Sequence, residues 1–508
     1  MFCVSFALTI GLQWRGKAYQ AEWSADPDEP AHYITGLMVH DYIRSGFRGS
    51  PMAFAQAYYD HYPKVAIGHW PPMFYVLQSI WMLLFTPSRT SLLLLMAVFS
   101  ALLLTVTYAL VRSYFPAWMA WASLGLVATS YDFESSSRAT MAEIPTALFT
   151  LAALWALARY FDHPGFRTAA WFSFAALATV LTKGTGIAVA PLPLLDVAVT
   201  RRWKILRTGS FWLPTILAGV PALIWFAVAP DALHQSVGLF GRLGIRWYRI
   251  PDTFGHWLLS LGVAGATLAA LGFVRRARAA FAGTERDVFW ITALLFLPVI
   301  VIFRILLGAW EAKHLITTLP LLMLFLCDGL TWMRSVLPHY RRAITAAMLA
   351  ALGWTANHSA IAMPPKAHLG IDRVASELTA SPEYRNTRFL IVSDAGGEGV
   401  FISEVAEREQ RPGHTIERGS KLLADISFLG DRYQPRFNSP AEMMRFFDQG
   451  PDRILILDGV PPTVDHLAKV RSMVSQYPGR WLLLGQYPRT GTPFPIEVFR
   501  LSGTPVPE

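Results

Sequence analysis

The run SLLLLMAVFSALLLTVTYALV, residues 91–111, contains no charged side chain. About 20 apolar residues in a helix cross the hydrocarbon core of a bilayer, so this run reads as a membrane-spanning helix. Ten further stretches read the same way: Met1–Trp14, Pro116–Ser130, Ile144–Tyr160, Thr168–Thr182, Gly186–Thr200, Phe211–Ala229, Phe254–Val274, Val288–Leu306, His314–Met333 and Ala343–Ala360. Several are short for a span. For Met1–Trp14 this predicts a tilted or irregular helix, or a start further upstream. That stretch lacks the basic n-region and small-residue cleavage site of a secretory signal. Pro71–Phe85 is also apolar and reads as a re-entrant or interfacial helix. The expected fold is a polytopic α-helical membrane protein of about 11 spans.

Composition agrees with this. Hydrophobic residues make up 53% of the 508 and charged residues 16%, against about 25% charged in a soluble chain. The deficit is uneven. Ile361–Glu508 holds 17 Lys+Arg and 18 Asp+Glu, a soluble density, which leaves 27 basic and 17 acidic residues for Met1–Ala360. The net charge of +9 therefore sits in the membrane half. The pI near 9.5 does not point to nucleic acid, because there is no basic stripe with interleaved aromatics. Cys3 and Cys327 both lie in apolar segments, which excludes a disulfide framework and a cysteine-based zinc site.

Basic residues in short loops set orientation. One alternate set of loops holds Arg112, Arg159, Arg167, Arg201, Arg202, Lys204, Arg207, Arg275, Arg276, Arg278, Arg286, Arg334, Arg341 and Arg342. These mark the cytoplasmic side. The N-terminus is then cytoplasmic, and the loops around Asp28, Arg138, Lys183, Arg246 and Glu311 face outward. The division expected is a membrane domain over 1–360, with a first outward loop at 15–71 carrying juxtamembrane helices, and an extracytoplasmic α/β domain over 361–508 that folds alone. In the latter, Arg388–Ser393 (RFLIVS) and Arg453–Asp458 (RILILD) read as buried strands, and Val400–Arg408 and Ala441–Phe447 as helices. SDAGGEG, Ser393–Gly399, lacks GxGxxG spacing and a P-loop lysine, so it reads as a plain turn rather than a phosphate cradle.

The spans are clean. Asp196 and Asp328 are the only carboxylates well inside them, and each can lie near a cytoplasmic end. Ion-coupled transporters need ionisable groups at membrane depth, so this scarcity argues against transport. Charge gathers instead in the outward loops. The richest holds AEWSADPDEPAHYITGLMVHDYIRSGF, in which Asp28 and Glu29 open an amphipathic stretch. Backbone N–H groups and the dipole at a helix start favour anionic side chains there. Asp26 reads as a cap or a solvated acid.

These elements, in their order, resemble the family 39 glycosyltransferases and their relatives, the GT-C fold enzymes that include protein O-mannosyltransferases and lipid A aminoarabinose transferases. The resemblance covers roughly Met1–Leu330. It rests on a short first span, the Asp28–Glu29 pair, the Pro71–Pro72 step opening an apolar helix, the loop SSSRATMAEIP with Arg138 and Glu143, and the turn Thr182–Gly184. Two positions depart from the pattern. Trp70 stands where the family often has Lys before Pro-Pro, and Glu143 stands where the aminoarabinose branch usually has Asp.

The resemblance implies a hexosyl- or pentosyltransferase of the plasma or inner membrane. It would take a sugar from a polyprenyl phosphate and pass it to a lipid, glycan or protein hydroxyl outside the cytoplasm. An acceptor hydroxyl needs a base, and a carboxylate suits that role. Asp28 is the candidate base, with Glu29 and Glu143 to orient the acceptor or bind a cation. Arg138, Lys183, His69, Lys64 and Arg246 are candidate contacts to the donor phosphate, whose charge grows as the sugar leaves. The loop Gly241–His256, with Arg242, Arg246, Arg249 and His256, is expected to cap the donor cavity, and Glu311, Lys313 and His314 to form its outer wall. No dense His/Asp cluster gives a metal-ligand set, so a divalent metal is an option without named ligands, and no cofactor is certain. The rival readings are a transporter or flippase of lipid-linked sugars, and a membrane-anchored interaction module.

Overall fold

In the computed structural model the described residues are 1–24, 26–66, 68–229, 245–307, 310–426, 433–461 and 465–502. They form two compact units. The first comprises Met1–Gly16, Gly68–Leu77 and Leu93–Pro364, and the second Lys17–Ile67, Gln78–Leu92 and Pro365–Glu508.

Each of the eleven apolar stretches is helical. In chain order the helices are α1 (Phe2–Arg15), α2 (Asp28–Arg44), α3 (Pro51–His61), α4 (Met73–Leu84), α5 (Arg89–Tyr114), α6 (Ala117–Ala128), α7 (Tyr131–Ser137), α8 (Glu143–Asp162), α9 (Phe166–Thr182) and α10 (Leu192–Thr200). There follow α11 (Gly209–Val228), α12 (Arg249–Phe281), α13 (Val288–Leu306), α14 (Leu319–Val336) and α15 (Arg341–Ala362). Six described helical segments are long and apolar enough to cross a membrane: Arg89–Tyr114, Glu143–Asp162, Gly209–Val228, Arg249–Phe281, Val288–Leu306 and Ala312–Val336. The protein is an integral membrane protein. Helix α4, the expected interfacial helix, has 12 residues, too few to span.

In the first unit α12 and α14 cross closely because glycines face each other. A Cβ on Gly272 would fall on the Phe325 carbonyl, and one on Gly329 on the Leu268 carbonyl. Both intramembrane carboxylates have side-chain partners. Asp328 is 2% exposed and bridges Arg275 and Arg276, with its Oδ1 2.8 Å from Arg276 Nη2. Asp196 accepts from the Thr292 hydroxyl at 2.8 Å.

The second unit contains the α/β segment. Its strands are β1 (Arg388–Val392), β2 (Ile416–Arg418), β3 (Ala424–Asp425), β4 (Gln434–Pro435), β5 (Arg453–Leu457), β6 (Trp481–Tyr487) and β7 (Ile496–Leu501). The main sheet has the order β2-β1-β5-β7-β6, with β2, β1 and β5 parallel and β7 and β6 antiparallel. Further helices are α16 (Ile371–Ala380), α17 (Ala395–Arg408), α18 (Pro440–Gln449) and α19 (Asp465–Gln476). Alternate strand residues Leu390, Val392, Leu455, Leu457 and Phe499 pack on Met443, Phe447, Leu467 and Val470 of α18 and α19, as the two-residue period of a strand requires. Phe389, pointing the other way, meets Phe401 of α17 edge-on.

Two expectations change here. SDAGGEG is the start of α17, five residues before the expected helix, and not a plain turn. Asp394 Oδ1 accepts from Gly397 N at 2.8 Å, and this cap compensates the poor helix propensity of the glycines. The second change concerns the first loop, which packs within the same unit as the α/β segment. Trp23 N donates to Glu404 at 3.1 Å and Trp23 Nε1 to Glu407 at 3.0 Å. Arg411 Nε reaches Asp41 at 2.7 Å, and Tyr58 donates to the same carboxylate at 2.9 Å.

Candidate active site

The first unit collects charge where several helices end. Arg15 closes α1, α7 and the turn after it carry Asp132, Glu134 and Arg138, and Glu143 opens α8. Lys183 follows α9 in an extended conformation that ends the helix. Asp252 and His256 lie in the first turns of α12, Arg304 in the last turn of α13, and His314 in a 3-10 turn before α14. The opposite ends of α5, α8, α12 and α14 carry Arg112, Arg159, Arg278 and Arg334 in their last turns.

Two ion-pair groups organise this end. Lys183 Nζ donates to Glu143 Oε1 at 2.5 Å, and His314 Nε2 lies 3.9 Å from the same oxygen. Glu143 is 1% exposed. An expected catalytic acid and an expected phosphate cation are thus partners of one another. Arg138 pairs with fully buried Glu134, which also takes Arg15 Nη2 at 2.8 and 2.9 Å. Burial outweighs both guanidinia and holds the Glu134 carboxyl above its ordinary range. Arg138 Nη1 also donates to Pro364 O at 3.0 Å.

Beside them, Arg304 Nη2 donates to Asp252 at 2.5 Å, and His256 lies 3.6 Å from Asp252. Asp132 has its carboxyl raised by burial to about 6, against the pull of His256 and Arg304. Arg246 is half-buried, and its amide donates to Ile305 O at 3.0 Å. His69 is half-buried ahead of Pro71 and α4. The expected loop Gly241–His256 is corrected. Gly241–Gly244, with Arg242, lie outside the described residues, and from Arg249 onward the chain is helix, so Arg249 and His256 sit on α12.

The second unit holds Asp28, Glu29 and Lys64. Asp28 and Glu29 form the first turn of α2. Asp28 N donates to Asp26 Oδ1 at 3.0 Å, and Asp26 itself is exposed. Glu29 is fully buried and held by Lys366 Nζ at 3.1 and 2.9 Å and by Ser24 N at 2.7 Å. Asp28 remains half-buried. Lys64 is 8% exposed.

Sequence reading missed Glu134, Arg15, Asp132, Asp252, Arg304 and Lys366. Glu134 had a local signal, standing four residues before Arg138 in a helix, where side chains meet. Lys366 had none. Among the described residues, no group of three or more His, Cys, Asp or Glu side chains is placed to hold a metal ion.

Residues 69–228 match the sequence model of the family described as dolichyl-phosphate-mannose-protein mannosyltransferase. That range includes His69, Arg138, Glu143 and Lys183. No curated protein sequence matches the chain. Among solved structures, ArnT from Cupriavidus metallidurans bound to undecaprenyl phosphate is similar at a TM-score of 0.60 and 12% identity, covering 100% of this chain and 99% of that one. The archaeal oligosaccharyltransferase AglB from Archaeoglobus fulgidus, in complex with an inhibitory peptide and a dolichol-phosphate, is similar at 0.58 and 13%, covering 100% and 74%. The chain has the GT-C fold.

Proposed function

We propose that this GT-C protein is a membrane glycosyltransferase that moves a sugar from a polyprenyl-phosphate donor to an extracytoplasmic acceptor hydroxyl. The observation that carries the reading is the full-length likeness to a structure holding undecaprenyl phosphate, joined to the mannosyltransferase match over 69–228.

The side chains suit the chemistry. The acceptor oxygen attacks the anomeric carbon as its proton passes to Asp28. The bond from that carbon to the phosphate oxygen breaks, and polyprenyl phosphate leaves with the electron pair. Asp28 suits the base role better than its neighbours. Glu29 is closed in by Lys366 and Ser24, and Glu143 by Lys183. Both are buried in direct ion pairs, whereas Asp28 is half-buried. Lys183, Arg138, His69 and Arg246 are the proposed cations for the leaving phosphate, with Lys183 and Arg138 held in place by Glu143 and Glu134. Glu29 and Glu143 then act by positioning.

The test incubates purified protein with radiolabelled polyprenyl-phosphate sugars, with and without a divalent cation. Transfer of label to acceptor, or slow release of free sugar, is the expected result. Label that crosses a liposome membrane with its sugar–phosphate bond intact would favour a flippase.

A further inference from the structure

Arg304 and Trp310 are each 1% exposed and His314 is 7% exposed. They bury four nitrogens, Arg304 Nε and Nη1, Trp310 Nε1 and His314 Nε2, that have no hydrogen-bond partner among the described residues. All four are N–H donors. For His314 the backbone decides this, because Glu311 N donates to Nδ1 at 3.2 Å and the ring proton is therefore on Nε2. Burying a donor without an acceptor costs stability, and here several such donors come from one short stretch of chain.

Contacts to the first turn of α12 hold that stretch. Arg249 donates to the Trp310 carbonyl. Asp252, three residues on and on the same helix face, takes Arg304 Nη2 at 2.5 Å. The Trp310 indole lies edge-on to the His314 imidazole, with ring centroids 6.4 Å apart. His314 Nε2 is in turn 3.9 Å from Glu143 Oε1, which receives Lys183 Nζ at 2.5 Å. A sugar hydroxyl brings a proton with each oxygen and needs acceptors as well as donors. Asp252 and Glu143 already receive Arg304 and Lys183. A group that only accepts, such as a phosphoryl oxyanion, matches a set made of donors alone.

We propose that Arg304, Trp310 and His314 form a buried phosphoryl-binding site beside the Glu143–Lys183 pair, the guanidinium and the neutral indole and imidazole N–H groups donating to the phosphoryl oxygens of the lipid-linked donor. This rests on the reading of the chain as a polyprenyl-phosphate transferase. It adds to Lys183 three donors that were not among the expected phosphate contacts.

The experiment measures binding rather than transfer. Purified full-length protein is titrated with undecaprenyl phosphate, with undecaprenol, which has the same chain and no phosphate, and with inorganic phosphate. Each Kd is read from the concentration dependence of Tm. Trp310→Phe keeps an aromatic ring and removes the N–H, and Arg304→Lys keeps the charge facing Asp252 and removes the guanidinium donors. Each is expected to weaken undecaprenyl phosphate binding about tenfold, the low end for a hydrogen bond to a charged group, with undecaprenol binding unchanged. Trp481→Phe, in the second unit, is the control and should leave both Kd values at the wild-type level.

An undecaprenyl phosphate Kd unchanged in both site variants overturns the assignment. So does a parallel loss of undecaprenol binding, which marks a packing role. Inorganic phosphate that protects wild type as strongly as undecaprenyl phosphate, mole for mole, would make this a site for the free anion, against the lipid-linked assignment. Should one site variant not accumulate, the other decides. A wild type that binds undecaprenol and undecaprenyl phosphate equally would instead defeat the polyprenyl-phosphate reading itself, before any variant is compared.

Discussion

Asp28 and Glu29 are neighbours in sequence with different surroundings. Glu29 is tied to Lys366, 337 positions away, and no local pattern announces such a partner. The same holds for Arg15 and Glu134, 119 positions apart. Sequence patterns show which residue types collect at helix ends, but which carboxylate is buried in an ion pair is decided by tertiary contacts. Glu404 gives a pH prediction at this scale. It is 2% exposed, and burial raises its carboxyl to about 7 despite Arg408. A raised carboxyl pKa means the folded state holds the proton more tightly than the unfolded one. Its contribution to stability is therefore present at low pH and lost as pH rises through about 7. Glu404→Gln, which can still accept from Trp23 N, should gain roughly 1–3 kcal/mol over wild type between pH 5 and pH 8. Thermal unfolding of both proteins at the two pH values checks this, and a Tm difference that does not change with pH contradicts it.

Among the elements, the membrane helices were legible because long uncharged runs have one stable solution in lipid, where backbone groups must bond within the helix. The strands RFLIV and RILIL were legible for a related reason, as short apolar runs bounded by polar residues. Strands β2, β3 and β4 have three, two and two residues, too few to carry a period. The alliance of the first loop with α17 is non-local and left no trace in either segment. It alters what is expected of the C-terminal segment in isolation. Residues Gly396–Ala406 of α17 are buried on all faces, and part of that cover comes from Trp23, α2 and Lys64. Pro365–Glu508 produced alone should expose this surface and aggregate or melt without cooperativity, whereas a fusion that restores Lys17–Ile67 should recover a cooperative transition. A fragment that melts cooperatively by itself, at the temperature of the fusion, would contradict this.

For the whole molecule, the expected sidedness rests on the fourteen basic residues in alternate loops, and the Glu143–Lys183, Glu134–Arg138 and Asp252–Arg304 pairs lie at the opposite helix ends. A reporter fused after Ala360 should therefore read as extracytoplasmic, and a cytoplasmic readout would mean that one span is miscounted, with Pro71–Phe85 the first to re-examine. The fold class was legible from composition and order alone, while the pairing of its charges was not. The central claim is that Asp28 accepts the acceptor proton in sugar transfer. Its most direct measurement is the transfer rate of purified Asp28→Asn beside wild type and Glu29→Gln, with expression and donor binding measured in parallel. Asp28→Asn should lose at least ~100-fold, the low end of general-base catalysis, with donor binding retained and Glu29→Gln losing less. An Asp28→Asn protein that transfers sugar at near the wild-type rate would contradict the account.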